Sequence, residues 1–154
     1  MQSKVFANDG GPLIAMDGAA IRAWPGGDVD YSRACGAEYP AGVILVQDGV
    51  AVVIGAQEGI ATARWHNTAA GEPCLIGCVF ADDGADVDLE SLLEAPETQW
   101  SHLAEATVPS GKLILFHGAC AGSDINVDPA GEHAVIGHGL SVALEPGRYP
   151  PASR

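Results

Sequence analysis

Histidine and cysteine are the residues of this sequence whose types and spacing come nearest to a reactive centre. His117 and Cys120 lie three apart, and His133 and His138 follow. Zinc takes nitrogen and sulfur ligands in a tetrahedron, and these four could supply them. Cys74 and Cys78 are four apart on an expected strand, which puts them on one face but about 13 Å from each other, too far to share one ion. Neither pair makes a Cys-x-x-Cys knuckle. Isolated core cysteines and histidines at polar edges account for the same residues more simply. Cys35 completes the set of four cysteines, which would allow three pairings in an oxidising compartment.

The carboxylates suggest a second chemistry. Asp82, Asp83, Asp86 and Asp88 crowd one short segment, and hard cations take oxygen ligands. The spacing does not match a calcium loop: glycine arrives third, and no glutamate stands at the twelfth position. A solvated acidic start to a helix explains the segment, and it is also the surface a basic partner would meet. Nucleophilic catalysis has less support. Gly-x-Ser-x-Gly is missing, and Ser123 with Asp124 lies near His117 only in sequence. Gly10-Gly11 and Gly26-Gly27 are turn pairs, and neither opens a helix with Lys-Ser/Thr behind it, as a phosphate loop requires. No catalytic residue, metal or cofactor is therefore assigned. The enzymatic alternative is a small metal-dependent hydrolase built on His117, Cys120, Ser123 or Asp124, with a site around 117–138.

Charge separates the remaining classes. Twenty Asp and Glu against seven Lys and Arg leave the 154-residue chain at −13. Nucleic acid is a poor partner, since binding it needs clustered cations to displace counterions. The seven here (Lys4, Arg22, Arg33, Arg64, Lys112, Arg148 and Arg154) are scattered. Anionic lipid is repelled as well. No apolar stretch reaches the roughly 20 residues that cross a bilayer. The first nine residues have no apolar run of a secretory signal, so a cytoplasmic location is expected. What a surface of this sign attracts is a cationic macromolecule. Asp82, Asp83, Asp86 and Asp88 are the expected contacts, with Asp28 and Asp30 second. Trp24, in the turn Ala23-Trp-Pro-Gly-Gly-Asp28, is the candidate aromatic anchor. Packing beneath its own loop is the commoner fate of such a tryptophan.

The elements that must position these residues are mostly strands. Leu13–Met16 follows the turn Asp9-Gly-Gly-Pro12, and Gly42–Val46 and Val50–Ile54 flank Gln47-Asp48-Gly49, where Asp-Gly suits a hairpin turn of positive φ. Ile60–Trp65 and Cys74–Phe80 suggest a second hairpin. Trp100–Val108, Lys112–Phe116, His133–Ile136 and Leu140–Leu144 read as extended. Residues 121–131 read as an irregular loop, and Glu145–Tyr149 as a turn leading into a short tail. A helix is expected over Asp86–Ala95, with a stripe of Val87, Leu89, Leu92 and Leu93 and a stop at Pro96. A shorter one is expected over Tyr31–Cys35, capped by Asp28 or Asp30. With 47% apolar residues the chain can bury a core as a single domain over residues 1–154. Short connections favour antiparallel pairing. The expected fold is α+β and β-rich, a bent, mostly antiparallel sheet or partial barrel with one or two short helices. A barrel holding a small molecule is a further alternative.

Several pieces, taken in order, resemble the immunity protein 21 family of bacterial polymorphic toxin systems. They are Asp9-Gly-Gly-Pro-Leu-Ile14, Asp30-Tyr-Ser-Arg-Ala-Cys35, Gly42-Val-Ile44, Val53-Ile-Gly55, Val79-Phe-Ala-Asp82, Gly111-Lys-Leu-Ile-Leu-Phe116 and Leu144-Glu-Pro-Gly-Arg-Tyr149. The resemblance covers most of the chain and rests on the order of the pieces. It implies a cytoplasmic antitoxin that binds and neutralises a cognate toxin by stoichiometric inhibition, with no catalytic residues to carry over. Steering by the acidic surface makes a basic toxin domain the expected partner. The Pro-Pro-Ala-Ser-Arg tail departs from the extended strand expected there.

Overall fold

A computed structural model describes residues 4–8, 10–38, 41–47, 49–56, 62–67, 73–78, 91, 95, 105–128 and 137–149. In chain order the strands are β1 (Lys4–Ala7), β2 (Leu13–Asp17), β3 (Ala41–Val46), β4 (Gly49–Ile54), β5 (Thr62–Asn67), β6 (Pro73–Cys78), β7 (Ala106–Val108), β8 (Lys112–His117), β9 (Asn126–Asp128), β10 (His138–Ala143) and β11 (Gly147–Tyr149). One α-helix, α1 (Gly27–Cys35), and two 3-10 turns, Ile21–Ala23 and Gly122–Asp124, complete the described elements. Among the described residues no helix is long and apolar enough to cross a membrane.

A six-stranded sheet in the order β3-β4-β2-β8-β10-β9 organises the molecule. Its neighbours pair antiparallel except β9 and β10, which run parallel. Smaller sheets, β1-β5-β6 and β11-β7, accompany it. The fold is α+β with a mixed main sheet, and that sheet is open: β3 and β9 end it without meeting. This is the expected α+β, β-rich fold with a mostly antiparallel sheet, and among the described residues the sheet does not close into a barrel.

Alternation on the central strands explains why their sequence is apolar throughout. Leu13, Ala15, Leu113, Leu115, Leu140 and Val142 point to one face, where Trp65, Leu75, Val108 and Tyr149 pack. Ile14, Met16, Ile114 and Phe116 point to the other, beneath Trp24 and Ala34. A strand covered on both faces reads as an unbroken apolar run. At β3, on the edge, only part of the run is covered: Ile44 is buried, and Val43 and Leu45 are exposed.

The hairpins fall where the turn residues put them, with one difference of mechanism. β3 and β4 pair from Ala41↔Ile54 to Val46↔Gly49, so Gly49 is the first residue of β4. It is absent from the glycines of positive φ. Its lack of a side chain answers instead to Ala20, whose Cβ would lie 2.8 Å from a Cβ at 49. The second hairpin pairs β5 with β6 from Thr62↔Cys78 to Asn67↔Pro73.

Other expectations are revised. The short helix begins at Gly27, four residues before its predicted start, and its N-cap is Gly26; Asp28 and Asp30 lie in the first turn, where the helix dipole favours carboxylates. The segment 121–131 contains a 3-10 turn and β9, which becomes a strand by pairing with β10. Residues 147–149, expected as a turn, form β11 against β7. β1, which pairs with β5, was not anticipated. The helix expected over 86–95 lies outside the described residues except for Ser91, which is helical, and Ala95.

One buried carboxylate fastens two turns together. Asp17, at the end of β2, accepts hydrogen bonds from the Ser110 N–H (2.9 Å), the Ser110 hydroxyl (2.6 Å) and the Ala19 N–H (3.0 Å). Asp17→Ala leaves these donors without their acceptor. Bonds to a charged group contribute about 1.5–3 kcal/mol, so urea unfolding should show a loss in that range. Ser110→Ala, which keeps two of the three bonds, should cost about 1 kcal/mol. Equal losses from the two variants would mean that the carboxylate does not hold the turns.

Candidate functional site

Two turns interlock beside α1 and bring most of the chemically interesting residues into one region. The Trp24 indole N–H donates to the Gly118 carbonyl (3.0 Å), the Gly122 N–H donates to the Trp24 carbonyl (2.9 Å), and the Gly27 N–H donates to the Ala119 carbonyl (3.2 Å). The approach is close enough to require glycine. Gly26 has φ +68°, and a Cβ there would lie 2.5 Å from the Ala121 nitrogen. A Cβ at Gly122 would overlap the Ile21 carbonyl. These glycines are therefore fixed by packing between turns rather than by phosphate binding.

His117 ends β8 inside this region. Its ring is buried and stacks on Tyr31 of α1, with centroids 6.0 Å apart and planes inclined by 14°. Nδ1 accepts a hydrogen bond from the Ala119 N–H (3.1 Å). A nitrogen that accepts carries no proton, which leaves the ring proton to Nε2. Gly11 lies against that edge so closely that a Cβ would collide with Nε2. Tyr31 is held above the ordinary tyrosine pKa by burial first, then by the neighbouring Cys35, which also hydrogen-bonds to it. It is accordingly protonated at neutral pH and is no general base.

The residues proposed for a hydrolase are used in other ways. Ser123 donates its hydroxyl to Asp124 Oδ1 (3.1 Å), and both are exposed. In a Ser-His-Asp arrangement the carboxylate would orient a histidine instead. Cys120 is half-buried, and its N–H donates to the His117 carbonyl (3.1 Å). His138 opens β10, on the strand beside β8, and His133 lies outside the described residues. Among the described residues no three His, Cys, Asp or Glu side chains are grouped to hold a metal. Burial pushes the Cys74 thiol above its ordinary pKa, which lowers its thiolate fraction and its value as a ligand or nucleophile.

The expected partner contacts divide. Asp28 is exposed at the start of α1. Asp30 is buried and paired with Arg33 at 2.9 Å, so its charge is met within the helix. Trp24 is 0% exposed, which corrects its reading as a surface anchor: it is packed beneath its turn, with its one donor satisfied. Asp82, Asp83, Asp86 and Asp88 lie outside the described residues. Sequence reasoning missed the exposed apolar residues Val29 (73%), Val43 (47%) and Leu45 (74%). A uniform apolar run carries no mark of which face stays open, so only the place of β3 at the sheet's edge reveals the last two.

A family model described as Immunity protein 21 matches residues 5–152, nearly the whole chain. No curated protein and no solved structure matches it.

Proposed function

The chain belongs to the immunity protein 21 family, and from that premise we propose that it neutralises a basic bacterial toxin in the cytoplasm by binding it one to one. The family's description denotes an immunity protein, and the partner of such a protein is a toxin. The match over residues 5–152 is the observation that carries this reading. Charge supplies the rest of it: a body at −13 attracts a cationic domain and accelerates their encounter. Inhibition then follows from occupancy, with no bond made or broken on this chain.

The test is to purify the chain with the toxin encoded beside its gene. Titration calorimetry should give a one-to-one complex, and toxin activity should fall in proportion to the chain added until the two are equimolar. Absence of a complex, or neutralisation at far less than one equivalent, would overturn the reading; the second outcome would point to turnover.

A further inference from the structure

Among the described residues β3 is an edge strand without the usual protection of one. Its six residues, Ala41-Gly-Val-Ile-Leu-Val46, include no charge and no proline, and they pair with β4 one to one without a bulge. Among the described residues β4 is the one strand beside it. Val43 and Leu45 stand on the same face, 47% and 74% exposed, next to Val52 and Val50 in the register. Natural edges are normally blunted by lysine, proline, bulges or a covering element, because a bare one templates pairing with another chain.

We propose that the outer edge of β3 receives an extended segment of the toxin as an added strand, with apolar side chains over Val43 and Leu45 and basic ones at its ends. This rests on the function proposed above and assigns the surface through which it acts. Main-chain hydrogen bonds along the edge supply affinity, and the alternate side chains supply specificity.

Charge selects this occupant over a second copy of the chain. In sequence, Glu38 precedes the strand and Asp48 follows it. Glu38 is exposed, and its backbone lies against Gly42 near the start of the strand. A second copy would bring this acidic edge against its own kind, between two bodies that each carry −13. A strand with lysine or arginine at its ends meets the same groups favourably.

The test compares V43K/L45K with V43D/L45D, titrated into the toxin encoded beside the gene, with circular dichroism to show that each variant is folded. Both put charge where apolar cover is needed. The lysine pair should weaken binding at least about 100-fold, the equivalent of roughly 2.8 kcal/mol. The aspartate pair takes the net charge to −15, from −13 with two added acids, and should still weaken binding about tenfold or more. Hydrogen exchange at residues 42–46 should slow when the wild-type chain binds. The proposal is overturned if the aspartate pair binds as well as wild type, or if exchange at the edge is unchanged in a complex that does form. Self-association of the wild type that is lost in V43K/L45K would also overturn it, by giving the edge to a second copy. Absence of any wild-type complex would remove the proposed function along with this surface.

Discussion

Replacing Trp24 with alanine should take away much of the protein's stability, about 3–5 kcal/mol on urea unfolding followed by circular dichroism. The indole is 0% exposed and sits with Ile14, Met16, Ala34, Phe116 and other buried residues on one face of the main sheet. Its removal leaves a cavity, and the Gly118 carbonyl loses the donor it now receives at 3.0 Å. Domains of this kind are stable by only about 5–15 kcal/mol in all, so the variant is expected near its unfolding threshold. Trp24→Phe separates the two contributions: it keeps most of the apolar volume, loses the hydrogen bond, and should cost about 1–3 kcal/mol. The prediction also distinguishes a core residue from an interface anchor. An anchor variant would remain stable and bind poorly. A core variant binds with unchanged affinity per folded molecule, and protection in cells falls because less of it is folded. A stable Trp24→Ala protein with weakened toxin binding would return Trp24 to the surface role.

How far the sequence disclosed this region depends on whether a partner is near or far along the chain. Trp24 stands in Ala23-Trp-Pro-Gly-Gly-Asp28, which has the composition of a surface turn. What buries it is a second turn 94 residues later, and no local pattern announces that contact. The central strands were legible because burial on both faces leaves an unbroken apolar run, as in Leu13–Met16 and Leu113–Phe116. The hairpins were legible because Gln47-Asp48-Gly49 and the Gly- and Pro-rich stretch before Cys74 are strong local signals. β9 and β11 were not. Each is three residues long, rich in turn formers, and extended only because a neighbouring strand supplies its hydrogen bonds. Val43 and Leu45 illustrate the opposite failure: their run is as apolar as a central strand, and only topology shows that it lies at an edge. The metal and hydrolase readings came from residues close in sequence; among the described residues His117, Cys120 and Ser123 make turn contacts.

Reversing the acidic segment should slow association with the toxin more than it speeds dissociation. Asp82, Asp83, Asp86 and Asp88 changed to lysine take the net charge from −13 to −5, since each of the four exchanges adds two. Electrostatic steering raises association from about 10⁵–10⁶ to as much as 10⁸–10⁹ M⁻¹s⁻¹ at low salt. Losing more than half of the net charge should therefore lower the association rate constant by about 10–100-fold in stopped-flow mixing near 20 mM salt. At 0.5 M salt the gap should close, because screening shortens the reach of exposed charges to a few ångströms. Of the second pair of expected contacts, Asp28 is the informative one: it is exposed, so Asp28→Lys perturbs the field and costs only its favourable place in the first turn of α1. Asp30→Lys would instead remove a buried carboxylate from its pair with the exposed Arg33 and disturb α1 itself. Steering and docking thereby fall on different axes. Charge reversal should act on the rate of encounter and vanish in salt, whereas apolar loss at Val43 and Leu45 should act on the rate of dissociation and persist in salt. If association were insensitive both to salt and to reversal of the four aspartates, the acidic surface would have no part in capturing the toxin, and the edge of β3 would have to account for recognition alone.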